Sequence, residues 1–212
     1  IPTPSLFNDD ALHELLRLHG VSEDDLPDTS IAGCQEPLIM GKDNGNTTNS
    51  WLNLPKVLEY TLTGGASLLS GERIEGLRHG TLATIREDFY YNLNIVAAHM
   101  AESANGAACA LSHLKVPFLS CFMGGLESGI DVRDIQRQGT KYNGSGCLIH
   151  GVSVLADSFV AIDRLLRERP QDAERLVEAL RCNFEGYDDL RAFLLSCDKF
   201  GNNVAVCDAE AV

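Results

Sequence analysis

The sequence predicts an α/β fold, and three observations carry that prediction. Two long stretches repeat apolar residues at spacings of three and four, one buried face of a helix in each case. The first carries Leu82, Ile85, Phe89, Leu93, Val96 and Met100, and the second Val152, Leu155, Phe159, Ile162 and Leu166. Between them, Pro117-Phe118-Leu119-Ser120-Cys121-Phe122-Met123 is a short apolar run closed by proline and by Gly124-Gly125, which predicts a buried strand. Helices mixed with strands at this spacing argue for the α/β class. A hydrophobic fraction of 44% beside 22% charged residues is that of an ordinary globular protein.

The elements follow in order. Pro4-Ser5-Leu6-Phe7-Asn8-Asp9 predicts an extended lead-in to a helix cap, and the helix carries Leu12, Leu15, Leu16 and Leu18 before Gly20 stops it. Ser22-Glu23-Asp24-Asp25 is expected to be a solvated acidic turn. Ala32-Gly33-Cys34-Gln35-Glu36-Pro37 then puts a sulfur and a carboxylate two residues apart, on one face if the segment is strand-like. Gly33 permits a tight turn there and Pro37 stiffens its exit. A Gly/Asn-rich loop is expected to run on to Asn53, followed by a helix from Leu54 with Pro55 in its first turn and Gly64-Gly65 at its end. Gly71 to Gly80 is polar and loop-like, and the first long helix spans about Thr81 to Ser103, with His99 at its rim and Asn105-Gly106 as its break. Lys141 to Gly146 is glycine-rich but matches neither phosphate-binding template. Shorter helices are expected near Asp172–Cys182 and Asp188–Cys197, with no internal repeat or domain linker.

Seventeen basic residues against thirty acidic ones give a net charge of −13, which disfavours nucleic acid and anionic membranes as partners. No apolar run reaches the roughly 20 residues of a membrane-spanning helix, and there is no signal-peptide pattern. Seven scattered cysteines without a Cys-x-x-Cys pair favour reduced thiols in a cytoplasmic compartment. Apart from Cys34 they are expected to be small buried apolar residues, with Cys121 at the end of the predicted strand the one to watch. The sequons at Asn46 and Asn143 are chance matches on this account. His-Glu-x-x-His, zinc-spaced Cys/His clusters and Gly-x-Ser-x-Gly are all absent, so no metal site is expected. A nucleophilic pairing of Cys34 with a distant histidine stays open on the residues alone.

Several stretches together resemble the glycyl radical enzymes, the pyruvate formate-lyase superfamily. Pro4 to Asp9 resembles the segment upstream of that family's active cysteine. Gly33-Cys34-Gln35-Glu36-Pro37, Gly41-Lys42 and Asn53-Leu54 resemble its cysteine loop, where Gly-Cys-Val-Glu-Pro is usual. Lys141-Tyr142-Asn143, Asp157-Ser158-Phe159-Val160-Ala161-Ile162 and Lys199-Phe200-Gly201-Asn202 resemble three further landmarks, in the family's order. Gln35 in place of valine, Asn203 in place of aspartate and the unfamiliar tail from Val204 leave the subfamily open.

The resemblance implies part of a ten-stranded α/β barrel with the cysteine loop inside. Residues 1–212 would be one segment of a pyruvate formate-lyase-like catalytic domain, with the N-terminal part of the barrel and the Arg-Val-x-Gly-Tyr glycyl radical loop outside this sequence. It implies catalytic roles for Cys34, as a thiyl radical that must start as a neutral thiol, and for Glu36, as general base on a substrate hydroxyl. Thr47, Thr48 and Trp51 fall where substrate-facing residues are found, although Trp51 is as readily a packing residue. The family's acyltransferases carry two adjacent cysteines, which this loop lacks, so a lyase or dehydratase acting on a small hydroxylated molecule is favoured. Acyl transfer, decarboxylation and a non-catalytic structural role are the alternatives. No cofactor would be bound in this segment. The protein glycyl radical would be installed by a radical-SAM activating enzyme, and the full-length protein would be an anaerobic cytoplasmic homodimer, compatible with a bacterial microcompartment.

Overall fold

A computed structural model describes residues 6–32, 36–137 and 139–212, and for 45–48 and 143–145 it describes the backbone alone. The chain forms two compact units, one of Ile1–Ser50 with Glu102–Leu148, the other of Trp51–Ala101 with Ile149–Val212. Among the described residues the strands form two two-stranded sheets, and no helix is long and apolar enough to cross a membrane. The mixture of helix and strand is the expected α/β one.

In the first unit, helix α1 (Asp9–Leu18) starts where the Asn8 side chain accepts the Ala11 N–H at 3.2 Å, with Asp9 and Asp10 complementing the positive end of the helix. Its buried Leu16 packs with Leu26 and Ile39, and Leu12, Val21 and Tyr142 cover them. Strands β1 (Thr29–Ala32) and β2 (Glu36–Ile39) pair antiparallel, Thr29 opposite Ile39 and Ala32 opposite Glu36. Strand β3 (Asp43–Asn53) pairs with β4 (Tyr142–His150). Short helices α4 (Pro117–Phe122) and α5 (Gly125–Ser128) lie between, pinned by Asp131, whose carboxylate accepts the Val116 N–H at 2.8 Å and the Arg133 N–H at 3.0 Å.

The second unit is built on apolar packing. Helix α2 (Leu54–Thr63) begins at Asn53, whose side chain accepts the Lys56 N–H at 3.1 Å, and ends at Gly64, whose φ of 68° favours a residue without Cβ. Its Val57, Leu58 and Leu62 meet Ile85 and Phe89 of α3 (Ile85–Ser112), Phe159, Ile162 and Leu165 of α6 (Val152–Glu168), Leu176 of α7 (Ala173–Arg181) and Leu190 of α8 (Asp188–Leu195). Phe89 and Phe159 meet edge to face at 5.4 Å. Each such side chain contributes about 1.5–3 kcal/mol on full burial. The fully buried Asn92 accepts the Arg78 N–H at 2.7 Å and donates to the Thr61 hydroxyl at 3.0 Å, tying the 71–80 loop to the helices. Arg86 forks onto Asp163 at 2.8 Å and reaches Glu210 of α9 (Ala205–Glu210) at 2.9 Å.

Four expectations are corrected. Residues 117–122 form helix α4 and not a buried strand; Phe118 and Phe122 are 81% and 66% exposed. The proline that suggested a strand boundary is instead a helix N-terminal residue, where its missing N–H costs nothing. The glycine- and asparagine-rich stretches after Gly41 and Lys141 are strands β3 and β4, because pairing between segments about ninety residues apart supplies hydrogen bonds that local propensity does not report. Helix α3 runs through Asn105-Gly106 to Ser112, since a single helix glycine costs only about 1 kcal/mol. Finally, among the described residues Cys109, Cys121 and Cys147 are exposed, Cys182 is half-buried, and Cys197 and Cys207 are buried.

Candidate active site

The β1–β2 hairpin closes after its last pair, Ala32 opposite Glu36, so residues 33–35 are its connection. Cys34 lies in that connection, outside the described residues, as do Gly33 and Gln35. Glu36 is the first residue of β2 and is half-buried. Side chains alternate along a strand, so Glu36 shares a face with Leu38, Ser30 and Ala32, while Pro37 and Ile39 take the other. Ile39 is buried with Leu16 and Leu26, which places Glu36 on the face turned away from that apolar cluster.

The open end of the hairpin is held by charge. Asp25 sits just ahead of the short Leu26–Asp28 turn that leads into β1, and its side chain is only 5% exposed. Lys42, just beyond β2, donates to Asp25 at 2.7 Å and to Asp28 at 2.6 Å. The Met40 N–H donates to the Asp28 carbonyl at 2.9 Å, and Gly41 takes the positive φ of 70° that turns the chain between β2 and β3. Lys141 also donates to Asp25, the Tyr142 hydroxyl does so at 2.5 Å and the Ser22 hydroxyl at 2.8 Å. The Tyr142 N–H completes the link by donating to the Lys42 carbonyl at 2.8 Å. Lys141 first, then Lys42, Tyr142 and Ser22, hold the Asp25 carboxyl far below the usual carboxylate range. Asp25 and then Asp28 push the Lys42 ammonium above the ordinary lysine value.

Asp25 is therefore no solvated acidic turn but the buried hub of this cluster. Its charged partners lie 17 and 116 residues away, and no local pattern announces them. Two of the family-like stretches, Gly41-Lys42 and Lys141-Tyr142, meet here. Two others meet in the second unit, where Asp157 accepts the Phe200 N–H at 2.6 Å.

Trp51 belongs to the second unit, next to the buried Leu52 and so on the opposite face of β3 from it. It is 64% exposed and stacks on His150, ring centroids 4.8 Å apart and planes 24° apart. His150 is a neighbour that the sequence did not single out. Thr47 and Thr48 lie within β3, and their side chains are outside the described residues. Among the described residues no three His, Cys, Asp or Glu side chains gather as a metal site. The second unit also holds an apolar cleft of about 440 Å³ walled by Leu58, Leu62, Ile162, Leu176 and Leu180. Of the charged groups at this cleft, Lys199 donates to the Cys197 carbonyl at 2.5 Å, and Asp157 is taken up by Phe200.

A family model described as pyruvate formate lyase-like matches residues 1–212. The chain is 29% identical over 205 residues to the (2S)-3-sulfopropanediol dehydratase of Klebsiella oxytoca, covering 91% of this chain and 24% of that protein. Among solved structures, a glycyl radical enzyme from Archaeoglobus fulgidus matches with a TM-score of 0.81 at 28% identity, covering 96% of this chain and 26% of that one. The glycerol-bound form of the B12-independent glycerol dehydratase from Clostridium butyricum matches with a TM-score of 0.83 at 23% identity, covering 99% and 27%, a likeness of fold. The chain thus spans about a quarter of the length of these proteins.

Proposed function

The chain belongs to the pyruvate formate lyase-like family, and from that premise we propose that it carries the active-site hairpin of a glycyl radical lyase of the dehydratase kind, acting on a small hydroxylated substrate. The observation that supports this best is the position of Glu36, two residues after Cys34 in sequence: it is the first paired residue of β2, on the face away from the apolar cluster. The names of the relatives agree in kind, among them a sulfopropanediol dehydratase and a glycerol dehydratase.

Cys34 would give its thiol hydrogen atom to the family's glycine-centred radical, so that the S–H bond breaks, a glycine C–H bond forms and the unpaired electron is left on sulfur. Cys34 then takes a hydrogen atom from a hydroxyl-bearing substrate carbon, so that a C–H bond breaks and an S–H bond forms. The two bonds are close in strength, which keeps the transfer reversible. Glu36 takes the proton of the hydroxyl, and the electron density left behind expels a group from the neighbouring carbon: a hydroxyl or amino group takes up that proton and leaves as water or an amine, and a sulfonate leaves as sulfite. Cys34 returns its hydrogen atom to the product radical, and the thiyl radical is regenerated. A single cysteine in the turn supports elimination over acyl transfer, which would need a second sulfur beside it.

Thr47, Thr48 and Trp51 face the substrate on this account, within one segment of a ten-stranded barrel. The full-length protein is a cytoplasmic homodimer that receives its radical from a radical-SAM activating enzyme. The test is Cys34→Ser in the full-length, activated protein under anaerobic conditions. Turnover should vanish while the glycyl radical signal still forms, because an O–H bond is too strong to yield the needed radical. Retention of most activity would remove Cys34 from the chemistry.

A further inference from the structure

We propose that the Asp25–Lys42–Lys141–Tyr142 cluster is the positioning device of the hairpin that carries Cys34 and Glu36, with Asp25 as its positioning residue. This rests on the function proposed above and adds how the pair is held at its working height. The hairpin has only four residue pairs, and a two-stranded hairpin of that size is marginal by itself in water. Apolar packing anchors one face of it, through Ile39 against Leu16 and Leu26. The other constraint is ionic and crosses the open end. Asp25 and Asp28 precede β1, Lys42 follows β2, and the ammonium bridges both carboxylates at 2.7 and 2.6 Å. Lys141 and Tyr142, from the start of β4, brace the same carboxylate from a third segment.

The lever arm makes that brace matter. About 10 Å of strand separates Ile39 from Glu36, so a tilt of about 6° at the feet moves Glu36 by about 1 Å. A displacement of that size can cost a reaction about 10²-fold in rate. The cluster is also balanced, two carboxylates against two ammonium groups, with the Tyr142 and Ser22 hydroxyls completing the coordination of Asp25. Removing the Asp25 charge takes the shared, buried acceptor from two part-exposed ammonium groups, and removing the Lys42 charge leaves the buried Asp25 carboxylate short of a cation; either change gives the feet reason to shift.

The experiment uses the full-length protein. In activated Asp25→Asn, kcat should fall about 10²-fold with KM and glycyl radical content per subunit nearly unchanged. Lys42→Met should behave alike, and Lys42→Arg, which keeps the charge and its donors, should recover most of the loss. Amide hydrogen exchange in the unactivated protein should rise over residues 26–42 and stay unchanged in α2 and α6. Unchanged kcat in Asp25→Asn, or a fall in kcat no larger than the fall in radical-bearing protein, would overturn the proposal. So would an equal failure of Lys42→Arg and Lys42→Met. If Asp25→Asn fails to fold, the two Lys42 variants carry the same comparison. The two ideas separate cleanly. Faster exchange confined to residues 26–42 in a protein without lyase activity would sink the proposed function and support the clamp. Unaltered exchange in a protein whose turnover depends on Cys34 would sink the clamp alone.

Discussion

The two compact units are held by different forces. The second buries a large cluster of leucine, valine, isoleucine and phenylalanine side chains from α2, α3, α6, α7 and α8, and its charges sit mainly at the surface. Among the described residues the first buries Leu16, Leu26 and Ile39 together around its hairpin, and fixes that hairpin with a buried carboxylate and two lysines. Apolar packing is strong but tolerant of small shifts, whereas an ion cluster with directional hydrogen bonds specifies one register. Under the proposed function, a hairpin that presents a reacting pair benefits from the second kind of hold, and a helical scaffold from the first.

The largest expected effect of breaking this contrast lies in the second unit. Phe159→Ala removes a fully buried ring that packs edge to face on Phe89 and lies under Arg86, and should destabilise the unit by about 3–5 kcal/mol. Hydrogen exchange should show the loss in α2, α3 and α6 and leave residues 26–42 protected. Spread of the effect to the hairpin would mean that one apolar core governs both units.

The next effect is electrostatic and belongs to the first unit. Asp25 has a depressed native pKa through Lys141, Lys42, Tyr142 and Ser22, so its stabilisation is complete above the unfolded carboxylate value of about 4 and is lost as pH falls below it toward the native value. Lys42 has the opposite sign: its contribution is complete below the unfolded lysine value of about 10.4 and is lost at higher pH as the raised native value is approached. Protection of residues 26–42, corrected for intrinsic exchange, should therefore decline between about pH 4 and pH 2, with a shallower decline in Asp25→Asn. An identical acid profile in both proteins would contradict the assignment.

The smallest effect sharpens the helical side. Gly106 lies inside α3 with open space where a Cβ would stand, so Gly106→Ala should stabilise the helix by up to about 1 kcal/mol. Slower exchange in the flanking turns would report it. A loss of stability would mean that the helix needs the glycine.

The same contrast explains what could be read from the sequence. Helices α1, α2, α6, α7 and α8 were legible because their signals are local: the Asn8 cap, Asn53 with Pro55, the Gly64 stop and apolar spacings of three and four. Strands β3 and β4 were not, because polar, glycine-rich segments become strands only when a distant partner supplies the ladder. In the site, Cys-x-Glu was legible as a motif on a short turn, and Glu36 is the first residue of β2. Asp25 was missed although Lys42, Lys141 and Tyr142 were all noted, because only the folded chain brings three separated segments onto one carboxylate. The exposed Phe118 and Phe122 show the converse error, in which apolar content alone was taken for burial.

The central claim is that Cys34 and Glu36 divide the chemistry between hydrogen-atom and proton transfer, and Glu36→Gln in the full-length activated protein tests it most directly. The variant keeps shape and hydrogen bonding but removes the base, so product formation should fall by about 10²–10⁴-fold. With deuterium-labelled substrate and a thiol that exchanges with water between steps, it should still wash deuterium out of the substrate through Cys34 without net product. Product formation at the unsubstituted rate, or loss of the isotope exchange together with turnover, would contradict that division of roles.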